Sequence, residues 1–141
     1  MAYATRQDMV NSFGEYEVRT LTDRDDTGEI DDAVLAAGLE DASAEIDTFL
    51  GGRYGLPLQI VPRFLASKCC DICRYHLTGA GTTCTEEIQK RYDLALKFLK
   101  LIATGQITLG ADATGVTVEP RNVVKSNRGT KIFSNRDRGG Y

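Results

Sequence analysis

Apolar positions recur at helical spacing through most of this chain. Leu35, Leu39, Ala42, Ile46 and Phe49 follow one another at steps of four, three, four and three. Asp32, Glu40, Asp41, Glu45 and Asp47 fall mostly on other faces. The spacing therefore predicts an amphipathic helix, stopped by Gly51 and Gly52. Nearer the start, "TRQDMVNSF" offers Thr5 as N-cap with Asp8 three residues on, and Met9, Val10 and Phe13 on one side. Gly14 is placed to end that short helix. "EYEVRTL" suits one further turn.

"RYGLPLQIVP" holds two prolines and cannot continue a helix, so an extended crossing segment is expected. Pro62 suits the first turn of a helix running to about Thr78, closed by "GAG". Thr83 and Glu86 form a second capping box. The helix after it carries Ile88, Tyr92, Ala95, Leu99 and Ile102, with Leu94, Phe98 and Leu101 widening the stripe. So wide a stripe predicts packing on two sides, and Gly105 ends it. "QITLG" and "GVTVEP" then alternate polar and apolar residues around a Gly-rich loop, which predicts a short hairpin within residues 106–118. The expected fold is mainly α: a small bundle of about four helices, a short C-terminal β-hairpin and an extended C-terminal tail.

At 141 residues the chain suits one core, enough to bury roughly two thirds of its unfolded surface. No apolar run approaches the ~18 residues of a membrane helix. The start "MAYATRQDMV" lacks a signal-peptide pattern, so a protein made and kept in a reducing cytoplasm is expected.

Charge changes this picture. Residues 119–141 carry a net +4, and the 118 residues before them carry −7. The division predicts a helical domain over 1–118 and an extended basic docking tail over 119–141. Partner-binding residues in the tail are Arg121, Lys125, Arg128, Lys131, Arg136 and Arg138, with Ile132, Phe133 and Tyr141 as apolar anchors.

Three constellations bear on chemistry. In "LTDRDDTGEIDDAV", Asp23, Asp25, Thr27 and Asp31 fall at ligand positions of a calcium loop, and Gly28 at its turn. The closing position, normally a bidentate Glu, is Val34, so this is at most a weak cation loop. Asp residues here also suit the start of a helix, where they accept from free N–H groups. Second, Cys69, Cys73 and His76 could present three zinc ligands on one face, and Cys70 and Cys73 make a C-x-x-C. A second Cys pair at zinc spacing is missing, and the three thiols share a stripe with Leu65, Ala66, Ile72 and Leu77. Core thiols are the expectation, with Lys68, Asp71, Arg74 and Tyr75 on the other side. Third, a single His without G-x-S-x-G, P-loop or dinucleotide motif argues against an enzyme, and no cofactor is expected. An acidic body with no zinc finger or RNP motif argues against specific nucleic-acid binding.

The ordered combination "YATRQDMVNSFG", "LTDRDDTGEIDDAVL", "DASAEIDTFLGGRYGLPL", "CDICRYHL" and "RYDLALKFLKLIATGQITLG" resembles the Mu-like phage and prophage head–tail connector family. "KIFSNRDRGGY" is similar to that family's closing motif, and the Cys-rich helix is where this member is expected to differ. The resemblance implies a structural virion protein: a neck adaptor forming a twelve-subunit ring beneath the phage portal. Implied partners are the portal protein, neighbouring copies of the chain, and a downstream stopper or tail-completion protein. DNA would pass through the channel without specific binding, and no membrane would be involved. Such a protein would be assembled in the host bacterial cytoplasm and reside in the virion neck. Alternatives are a stopper or tail-completion protein, a cation-binding module using the Asp23–Asp31 loop, and a Cys/His zinc regulator.

Overall fold

The computed structural model describes residues 2–79 and 82–109. Among them are five helices: α1 (Arg6–Phe13), α2 (Glu15–Thr22), α3 (Asp32–Leu50), α4 (Arg63–Leu77) and α5 (Glu86–Ala103). The mainly helical expectation holds, with one helix more than the sequence pattern suggests. "EYEVRTL" is a full two-turn helix, α2, because Gly14 at φ +87° turns the chain sharply out of α1. Its Val18, Leu21 and Thr22 then reach the core.

The Thr5 capping box is present in both directions, Thr5 accepting from the Asp8 backbone and Asp8 from the Thr5 backbone. At α5 the expected cap shifts by two residues. Thr85, not Thr83, accepts from Ile88 N, and its own C=O begins the helical ladder. On α3 the buried stripe ends at Leu50, and Phe49 is only half-buried.

Helices α3, α4 and α5 pack pairwise, and the α1–α2 hairpin lies against α3 and α4. Thus α4 is covered by all four other helices. Close approach of α3 to α4 depends on Gly38, where a Cβ would stand 3.0 Å from Leu77 Cδ2 and 3.2 Å from Cys73 Sγ. The N-terminal segment is tied to α3 as well: Tyr3 N donates to Ser43 Oγ at 2.9 Å, and the Tyr3 hydroxyl donates to Asp47. Burial, reinforced by that carboxylate, pushes the Tyr3 phenol above its ordinary pKa.

Residues 51–62 cross the bundle without helix or strand, as the prolines predict, and bury Tyr54 and Leu58. Residues 106–109 form no strand, which corrects the expected hairpin on its first arm. Their donors are used otherwise: Gln106 N and Ile107 N bind Leu101 O, and Leu109 N binds Tyr54 Oη at 3.0 Å. The second arm, and the 119–141 tail, lie outside the described residues.

Candidate functional site

The acidic loop between α2 and α3 is organised by its own backbone. Asp23 accepts from Thr27 N at 2.8 Å and Gly28 N at 2.7 Å, and from the Thr27 hydroxyl at 3.1 Å. Those bonds, first to Thr27 and then to Gly28, hold its carboxyl below the ordinary range. Asp31 is the N-cap of α3, accepting from Ala33 N and Val34 N. Thr27 thus spends its hydroxyl on Asp23, and Asp25 is exposed. Asp23, Asp25 and Asp31 do not converge; among the described residues no three His, Cys, Asp or Glu side chains do. The loop begins a helix by using Asp31 alone as cap, while Asp23 shapes the turn before it.

Cys69, Cys70 and Cys73 are buried, as their stripe predicts. Burial raises all three thiol pKas, Cys70 to about 12 with a further push from Cys69. Such thiols resist forming the thiolate that metal binding or nucleophilic attack requires. His76 is turned away from them, with Nε2 at 2.6 Å from Glu45 Oε2. The other Glu45 oxygen accepts from Tyr92 Oη at 2.8 Å, and Tyr92 stacks on Tyr75 with ring centroids 3.9 Å apart. Burial and then the Glu45 hydrogen bond raise the Tyr92 phenol to about 12. This α3–α4–α5 clasp joins residues 31 and 47 apart in sequence, so no local motif could disclose it.

The side of α4 away from the thiols is itself covered at Asp71 and Arg74, which are only 6% and 7% exposed. With α4 covered on several sides, its polar residues must be paired where they stand. Arg74 meets Glu17 at 2.5 Å and lies 4.6 Å from the Phe13 ring centroid. Asp71 meets Lys68 at 3.3 Å and Arg91 at 3.4 Å. Arg91 also approaches Glu87 and the Phe13 ring. The seam ties both the α1–α2 hairpin and α5 to α4.

Beside the seam the surface turns apolar. Phe64 and Phe98 meet edge-to-face at 5.4 Å, and Phe64 remains 41% exposed. Leu94, included in the predicted α5 stripe, is 51% exposed. The rings of Phe64 and Phe98 form one wall of a cleft of about 200 Å³, completed by Pro62, Ile102, Ile107 and Leu109. Phe98 was visible as part of the wide stripe; Phe64 carried no periodic signal. Arg121, Lys125, Arg128, Lys131, Ile132, Phe133, Arg136, Arg138 and Tyr141 all lie outside the described residues. Among the described residues, no helix is long and apolar enough to cross a membrane.

Residues 3–127 match the family model described as "Bacteriophage Mu, Gp36". The chain is 35% identical over 120 residues to the "Mu-like prophage FluMu protein gp36" of Haemophilus influenzae, covering 85% of this chain and 84% of that protein. It is 30% identical over 141 residues to "Gene product J" of Escherichia phage Mu, covering 99% of each.

Proposed function

The chain belongs to the bacteriophage Mu Gp36 family, and from that premise we propose that it is a structural protein of the virion neck. In this reading it is an adaptor without catalytic activity that rings the portal, extends the DNA channel and receives the stopper or tail-completion protein below. The observation that carries it is the division of charge, −7 over residues 1–118 against +4 over 119–141. An acidic ring wall repels phosphate and so lets DNA pass, whereas a basic wall would retain it. The basic tail, with Ile132 and Phe133 as anchors, supplies an attachment that does not burden the wall with positive charge. The buried seam supports the same reading, since a ring subunit must keep its shape while loaded from both sides. Subunit number, partners and neck location all belong to this proposal.

Purified portal mixed with this chain and imaged in negative stain tests it. Rings seated on the portal are expected, and deletion of residues 121–141 should abolish them while leaving helicity nearly unchanged. Phe133→Ala should weaken binding even in high salt; Arg136→Ala should matter mainly in low salt. A portal left bare by the full chain would overturn the adaptor reading.

A further inference from the structure

We propose that the Phe64–Phe98 cleft is the seat of Val116 and Val118 of the same chain, with Glu119 set against the cationic rim at Lys68. The cleft is built from six apolar residues and Thr108 on three stretches: Pro62 and Phe64 at the start of α4, Phe98 and Ile102 late in α5, and Ile107, Thr108 and Leu109 beyond it. Among the described residues no carboxylate lines it. Lys68 stands over both rings, its Nζ 5.5 Å from the Phe64 ring centroid and 5.7 Å from that of Phe98. Asp71 takes one of the Lys68 donors at 3.3 Å, which leaves others for a second carboxylate.

Three observations select the occupant. The first is reach. Leu109 is itself a wall of the cleft and is anchored there by Tyr54 Oη, so the following chain starts at the site. Val116 is seven residues on and Ile132 twenty-three, and loop closure costs less for the shorter link. The second is pattern. In "GVTVEP", Val116 and Val118 alternate with Thr117, so an extended backbone points both valines to one side about 6.6 Å apart. The third is charge. Glu119 follows directly and complements Lys68, whereas Ile132 and Phe133 are flanked by Lys131 and Arg136, which Lys68 would repel. The family match, residues 3–127, also contains Val116–Glu119 and stops short of Ile132.

Seating this segment covers the exposed Phe64 ring and roots the basic tail at the start of α4 rather than at Leu109. Ile132 and Phe133 stay available for a partner. The inference concerns the free chain, and its failure would leave the adaptor proposal untouched.

A photoreactive benzoylphenylalanine in place of Phe64, irradiated in the full chain at low micromolar concentration, tests it. Intramolecular cross-links to residues 116–118 are expected. Val116→Asp with Val118→Asp should lower their yield at least tenfold and shift the Ile102 and Ile107 methyl resonances. Ile132→Asp with Phe133→Asp should change neither. Cross-linked dimers, products mapping to 130–133, or methyl signals that respond to the second pair instead would overturn the assignment. So would methyls that ignore both pairs.

Discussion

Arg74 on α4 binds Glu17 on α2 through both Nε and Nη2, each 2.5 Å from the same carboxylate oxygen. The arginine side chain is 9% exposed and the glutamate 33%. Among the described residues Arg74 Nη1 has no hydrogen-bond partner, and the Glu87 carboxylate lies 3.7 Å from it. The guanidinium therefore depends on Glu17 for its charge balance.

Removing that partner should be costly. Breaking a fully buried ion pair costs ~3–5 kcal/mol, and the partial exposure of Glu17 scales the expectation for Glu17→Ala to about 2–3 kcal/mol. Arg74→Met combined with Glu17→Leu should recover most of the loss, since no uncompensated charge is then buried. Urea unfolding midpoints would show the difference. Equal destabilisation by the single and double variants would contradict it.

Thiol reactivity should separate the cysteines cleanly. Cys84 is exposed, whereas Cys69, Cys70 and Cys73 are buried with raised pKa values. A disulfide reagent at pH 8 should titrate one thiol rapidly in the native protein and all four in denaturant. Cys84→Ser should erase the rapid phase. Chelators should leave the thermal transition where it is. Cys73→Asp should prevent folding or come close to it, because it places an unpaired charge against Leu77 and Gly38.

The acidic loop yields a pH dependence. The Asp23 pKa is depressed in the folded state, so its contribution is complete above the unfolded carboxyl value of ~3.9. It disappears as pH falls through the lower folded value. Asp23→Asn should flatten the fall in stability between pH 5 and pH 3 relative to the parent chain, as read from denaturation midpoints. Asp31→Ala should cost about 1 kcal/mol at neutral pH through the lost α3 cap. Calcium should bind no tighter than roughly 10⁻⁴–10⁻³ M, given Val34 at the closing position. A micromolar constant by calorimetry would refute this account of the loop.

Gly38 sets how closely α3 can lie on α4. Gly38→Leu should cost about 2–3 kcal/mol, since a side chain starting from that Cβ meets Leu77 and Cys73 at once. Gly38→Ala should be far milder, because the Leu77 tip can rotate and alanine favours helix by ~1 kcal/mol. If Gly38→Leu melts with the parent chain, the interface is looser than these distances indicate.

The positions of α1, α3, α4 and α5, the Thr5 cap and the break at 51–62 were legible along the chain, because each depends on residues within one or two turns; the acidic entry to α3 was legible too, though not Asp31 as its cap. At α5 the expected Thr83 cap falls two residues later, at Thr85. Amphipathic periodicity assumes one buried face per helix, and this misread Asp71 and Arg74, because α4 is enclosed by four neighbours. Their partners could not be found along the chain either: Glu17 lies 57 residues from Arg74, and Arg91 lies 20 from Asp71. Leu94 failed in the opposite sense, apolar and on the expected stripe yet left in solvent where no described helix covers that flank of α5. The cleft followed the same logic, since Pro62, Phe98 and Leu109 become neighbours when α5 folds back across the start of α4. Periodicity reports which residues leave water. Which residues then meet depends on helix-to-helix geometry, and that is set by small contacts such as Gly38 against Leu77.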